Sequence, residues 1–261
     1  MIGGVENVFE QVLFLAIATT RIAAAFLILP VFAPETVPPL VRNSIFVALG
    51  IIALMFQPEI ATTVTSTVMW IALFAKEVFV GVAIGFFFAT LLWALEAAGQ
   101  IIDTKVGLAM ASIIDPLTGH QTSLTGAFLA RLANFVFMFS GGFLVLVGVL
   151  LESYALWPVV DLLPRLERAG VTLFENEFRR LITLALLFAA PALVVMISVD
   201  IAFGLVNRYA QQLNVFAMSL SIKSWLAVAM LLLMLGTIVE ALLAEIDTRR
   251  TTVLEVLERA Q

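Results

Sequence analysis

The chain has 261 residues, of which 62% are hydrophobic and 13% charged, with a formal net charge of −5 and a mean hydropathy of +1.10. A soluble domain carries close to half apolar residues and about a quarter charged ones, so the composition predicts an all-α, polytopic membrane-type protein. It also excludes several chemistries. With no cysteine and one histidine, His120, neither a disulfide framework nor the usual zinc sites can be built. The small, dispersed negative charge offers no basic patch for nucleic acid.

The first residues, Met1 to Glu10, are acidic and do not read as a cleaved signal peptide, so the first apolar run is expected to stay attached. About six hydrophobic segments follow, and several fit a bilayer poorly. Val8 to Pro30 is of ordinary length, with Arg21 inside it. Val41 to Phe56, after a proline-rich connector, is short against the ~20 residues that cross a bilayer. Val64 to Ala98 is too long, about 50 Å if helical. Leu124 to Leu151 is interrupted at Ser140-Gly141-Gly142, and Tyr154 to Arg180 is mixed, expected as amphipathic helix lying outside the membrane. Leu181 to Val206 carries Asp200 and an expected bend at Pro191, Asn207 to Ser221 reads as a loop, and Lys223 to Glu245 is the last run. Ile246, Val253, Leu254 and Leu257 recur at helical spacing, which predicts a short amphipathic tail helix over 246–261. The basic residues only weakly favour a cytoplasmic C-terminus.

Ala98 to Thr125 stands apart. Gly99, Gly107 and Gly119 relax the backbone and Asp115-Pro116 sets a turn, yet Leu108, Met110, Ile113 and Ile114 need burial. Irregular apolar backbone between membrane helices has to lie against protein or line a cavity, because it cannot face lipid. This segment is expected to carry the function, as a deformable loop.

No phosphate loop, dinucleotide fingerprint, nucleophile elbow or paired-histidine motif is present, and nothing points to a catalytic centre, cofactor or metal. Glu77, Gly81 and Gly85 share one helical face, whose small residues admit another helix backbone. Glu77 is expected to meet a neighbouring subunit or a basic residue of its own chain. Lys76, about 100° away on the helix, is not its obvious partner. Arg21, Arg131, Asp200 and Glu240 lie inside apolar runs and are expected to pair within a larger assembly.

Three linked stretches carry a resemblance. They are Ala98-Gly99, Ile102-Asp103, Gly107, Met110-Ala111-Ser112 and Asp115 to Gly119; Gln212-Leu213-Asn214-Val215-Phe216 followed by Lys223; and Lys76-Glu77 with Gly81 and Gly85. In order and spacing the chain resembles the T components of the type III secretion export apparatus, the YscT/HrcT/SpaR family related to flagellar FliR. Ser219 to Ser224 and Ser140-Gly141-Gly142 look more like the injectisome branch than the flagellar one. Gln211 and Ser221 depart from the family's prolines, and Lys105-Val106 from its polar-basic pair.

The resemblance implies a single export-apparatus domain. An R-like part, 1–180, would contain a plug loop at about 98–125. An S-like hairpin, 181–245, and the tail would follow. It implies assembly with R-type and S-type subunits into a protein-conducting portal in the bacterial inner membrane, beside the large export gate subunit and its switch protein, with secreted polypeptides as cargo. Gly107, Leu108, Met110, Ile113, Ile114, Asp115, Pro116 and Gly119 would form the plug. Glu77, Gly81, Gly85, Gln212, Asn214, Phe216 and Lys223 would serve subunit packing. The competing class is a small-molecule transporter working alone, and no matched pair of interrupted helices in two halves points to one.

Overall fold

Seven α-helices account for nearly all the residues that the computed structural model describes, namely 2–33, 37–55, 67–107, 123–161, 168–210, 212 and 214–258. They are α1 (Ile2–Ile28), α2 (Pro39–Leu54), α3 (Thr67–Val106), α4 (Leu124–Phe139), α5 (Gly142–Leu156), α6 (Arg168–Tyr209) and α7 (Val215–Glu258), with a short 3-10 turn at Pro30–Phe32. No strand occurs among the described residues. Among the described residues, three helices (α3, α6 and α7) are long and apolar enough to cross a membrane, and α4 with α5 make a fourth if taken as one interrupted span.

Local chemistry sets the boundaries. Pro39 opens α2 at a position where its missing N–H costs nothing. Ser123 caps α4 by accepting from Gly126 N at 2.8 Å, and Asn214 caps α7 by accepting from Ala217 N at 3.3 Å. Gly141, with φ of 85°, separates α4 from α5 in a left-handed conformation that side chains rarely adopt.

Three expectations are corrected. Ala98 to Val106 is helical, the last turns of a 40-residue α3, and not the start of a loop. Residues 168–180 belong to the 42-residue α6, which runs through Pro191. The tail is no separate short helix, because α7 continues unbroken from Val215 to Glu258. In the first case Gly99 stands inside a helix; in the other two, apolar and charged stretches join end to end in one helix.

The chain divides into two compact units, to both of which α3, α6 and α7 contribute. In the first (1–90, 141–177 and 246–261), Phe26 is the centre of an aromatic cluster with Phe32, Phe46 and Phe143, at ring separations of 4.7, 5.6 and 5.7 Å. The small-residue face of α3 receives α1 of the same chain. A Cβ on Gly85 would lie 2.6 Å from the Ala25 carbonyl oxygen, and one on Gly81 would run into that of Arg21. The groove expected for a neighbour is therefore filled from within.

Beside that groove Arg21 is wholly buried. Its Nε and Nη2 donate to the two carboxylate oxygens of Glu77 at 2.6 and 2.8 Å. Nη1 donates to Ser153 Oγ at 3.0 Å and Nη2 to the Trp157 carbonyl at 2.8 Å. The guanidinium carbon sits 4.1 Å from the centre of the Tyr154 ring, whose hydroxyl donates to the Ala18 carbonyl. Contrary to the expectation from helical angle, Lys76 also pairs with Glu77, at 2.8 Å. Its long stem swings the ammonium round to Glu77, and the same ammonium donates to the carbonyls of Pro158, Val159 and Asp161. These oxygens follow the C-terminal end of α5, where a helix favours positive charge.

A second buried group holds the far end of α7. Arg249 pairs with Glu177 of α6 and donates to the Phe87 carbonyl of α3 at 2.7 Å, while Thr90 donates to the same Glu177 oxygen at 2.7 Å. Arg249 is 1% exposed and Ile246 2%, so the first turns past 245 are core, not free tail.

Two cations share one carboxylate at Glu77, and this orders the effects of mutation. Glu77→Leu leaves Arg21 and Lys76 buried without a counter-charge and should lower stability by about 3–5 kcal/mol. Arg21→Met leaves the neutral Lys76–Glu77 pair and should cost less. Unfolding of the two purified variants in detergent measures the order, and the reverse order would remove this account of the core.

Candidate functional site at the base of the central loop

The second unit (91–140 and 178–245) contains both ends of the glycine-rich stretch. Residues 108–122, with the expected plug residues Leu108, Met110, Ile113, Ile114, Asp115, Pro116 and Gly119, lie outside the described residues, as does His120. What the structure describes is how the loop is anchored.

The helices on either side of the loop touch backbone to backbone. A Cβ on Gly99 would lie 2.5 Å from the Cα and N of Gly126. Gly99 thus serves close approach of α3 and α4, not a turn, which is why helix continues through it. One turn further on, Asp103 is 5% exposed, and its Oδ2 accepts from Ser123 Oγ at 2.6 Å and Thr125 N at 2.9 Å. Ser123 Oγ in turn accepts from Gly126 N, so its single proton goes to the aspartate and the cap is complete. The end of α3 and the start of α4 are therefore pinned together.

Gly107 ends α3 at a φ of 93°, its N–H shared between the carbonyls of Asp103 and Thr104. This is the left-handed glycine that commonly follows a helix. A Cβ there would also meet Leu220 Cδ2 of α7 at 2.5 Å. Both backbone angle and space require glycine.

Asp200 of α6 binds two lysines, one on each oxygen. Lys105 of α3 lies 3.0 Å from Oδ2, and Lys223 of α7 pairs with Oδ1. Lys223 is nearly buried, whereas Lys105 and Asp200 are about one-third exposed. Asp200 also borders a cleft of about 400 Å³ lined by Phe203, Asn207, Asn214, Phe216 and Ser219. The arrangement is electrostatic and mechanical; no group of three His, Asp or Glu residues able to hold a metal occurs among the described residues.

Of the expected packing residues, Lys223 therefore ties together helices of its own chain. Gln212 and Asn214 are exposed at the turn before α7, and Phe216 is 65% exposed on its first turn. Glu77, Gly81 and Gly85 belong to the first unit, packed on α1. Sequence reasoning missed Asp103 as a clamp and Asp200 as a shared partner. The available signal was an aspartate inside one apolar run and single lysines beside two others, since charges in such runs need opposite partners.

The family model for bacterial export proteins, family 1, matches residues 12–248. Among curated proteins, the chain is 36% identical to the Yop proteins translocation protein T of Yersinia pestis over 82% of both chains. It is 32% identical to the secretion system apparatus protein SsaT of Salmonella typhimurium, over 87% of this chain and 89% of that one. It is 28% identical to the flagellar biosynthetic protein FliR of Bacillus subtilis, over 84% of both.

The clamp makes a local prediction. Asp103→Ala removes an acceptor from Ser123 and from the first turn of α4, an effect of about 1 kcal/mol for a helix cap. Amide exchange at Thr125 and Gly126 should accelerate roughly fivefold while exchange at Ala133 stays unchanged. Equal acceleration along all of α4 would mean that Asp103 supports the fold generally and does not pin the loop.

Proposed function

The chain belongs to the bacterial export proteins of family 1, components of the type III secretion and flagellar export apparatus, and from that premise we propose that it is a structural and gating subunit of a protein-export portal. Its partners are R-type and S-type subunits, with the large export gate subunit and its switch protein alongside, in the bacterial inner membrane. Secreted polypeptides are the cargo, and residues 107–122 form the plug that closes the path when none is passing. The greater identity to the two secretion proteins, 36% and 32% against 28% for the flagellar one, favours an injectisome.

The observation that carries the reading is the pinning of α3 to α4. The fifteen residues between Gly107 and Ser123 are bounded by two helix ends joined by Asp103, Ser123 and the Gly99–Gly126 contact. A plug held at its base in this way would repack without unravelling its support. Gly107 at one foot gives the change of direction, and the unbranched thioether of Met110 adapts to a moving chain.

Two further features support assembly. The apolar windows of α6 and α7 are only 22% and 17% buried, against 67% for α3. Exposed apolar residues run along α6 from Ile182 to Tyr209, about 40 Å of helix, beyond the ~30 Å that hydrocarbon covers. The remainder calls for protein.

Each aliphatic side chain buried in a closed plug contributes about 1.5–3 kcal/mol, and each ~1.4 kcal/mol is tenfold in population. Met110→Ser with Ile113→Ser and Ile114→Ser should therefore open the resting gate by several powers of ten while the complex assembles. Ion conductance of the membrane, measured beside the yield of complex, decides. Intact complexes with unchanged conductance would sink the plug, and lost complexes would make these side chains packing residues.

A further inference from the structure

Helix α4 buries one seam and bares another. Gly126, Leu129, Ala133, Val136 and Phe137 face inward. On the opposite side Leu124, Phe128, Arg131, Phe135 and Met138 are all exposed, the four apolar ones at 61%, 51%, 57% and 42%. Their spacing of four, three, four and three residues is that of a heptad seam, the pattern by which one helix accepts another alongside. The seam opens onto a cleft of about 310 Å³ shared with Val228 and Leu232 of α7.

Arg131 breaks the apolar run midway along the helix, with Phe128 before it and Phe135 after it. Among the described residues no carboxylate lies within ion-pair distance of it. Whatever covers the phenylalanines must also cover the guanidinium, and a cation enclosed without a counter-charge is strongly unfavourable. An apolar occupant alone does not fit, and neither does a lipid tail. The occupant has to bring a negative group to the middle of a hydrophobic contact.

We propose that the bared seam of α4 docks a helix of a partner subunit that is apolar on a three-four spacing and carries one aspartate or glutamate opposite Arg131. The seam supplies the contact area and the single charge pair fixes the register, as one polar position does in a coiled coil. This rests on the assembly proposed above and assigns one of its interfaces.

The test uses the full chain expressed with its complete secretion apparatus. A photo-crosslinking amino acid at Phe135 should capture a membrane subunit, with the attachment site within one helical turn of an acidic residue. Arg131→Glu should reduce the co-purified complex roughly thirtyfold, the scale for breaking a buried charge pair. Arg131→Lys should retain most of it. Exchanging the charges, with Arg131→Glu here and the acidic residue of the partner made arginine, should restore assembly. An adduct with lipid alone, or full complex yield from Arg131→Glu, would overturn the proposal. So would Asp115→Asn reproducing the loss, since Arg131 would then pair within its own chain. Should the wild-type protein purify without any export subunit, the function proposed above falls first and this interface with it.

Discussion

A guanidinium buried among apolar helices obliges the fold to surround it with acceptors, and the first unit is built on that obligation. Arg21 draws Glu77 from α3, Ser153 and Tyr154 from α5 and the Trp157 carbonyl from the turn beyond. Lys76 shares the same carboxylate and donates to the carbonyls of Pro158, Val159 and Asp161. Helix α1 can approach α3 closely enough for this only because Gly81 and Gly85 present no side chain. Packing and charge are thus one device. Replacing such a cluster with hydrophobic residues can be neutral or better, whereas losing one member is costly.

The second unit uses the same physics with less burial. Asp200 shares its two oxygens between Lys105 and Lys223, and the partly exposed half of the triad lies two residues before Gly107. Exposed ion pairs contribute little to stability, so the value of Lys105 is positional: it holds the end of α3 while the residues after it leave the helix. Asp103 does the same for the start of α4 by accepting from Ser123 Oγ and Thr125 N.

Much of this was legible. Hydropathy alone showed an all-helical membrane-type chain, and the spacing of Glu77, Gly81 and Gly85 marked a close helix contact that the structure contains. Helix ends were harder. Gly99 looked like a turn residue because glycine serves both turns and close approaches, and only the position of Gly126 distinguishes them. Lys76 was set aside on the angle between neighbouring residues, yet a four-carbon stem reaches round that angle. The spacing of Ile246, Val253, Leu254 and Leu257 suggests a separate amphipathic tail helix, while Arg249, a charge within that stretch, is only 1% exposed. Sequence patterning locates faces well; it does not say which partner covers them.

The Arg21 cluster also bears on how such a chain can be made. Arg21 precedes Glu77 by 56 positions, Ser153 by 132 and Trp157 by 136. Synthesis from the N-terminus therefore delivers a charged, apolar helix long before its last acceptors exist. Until α5 and its following turn emerge, α1 and α3 hold an incompletely solvated cation, and water or the insertion machinery has to stand in for the missing oxygens. The buried charge thereby imposes an order on biogenesis, in which the early helices settle only once the middle of the chain has arrived.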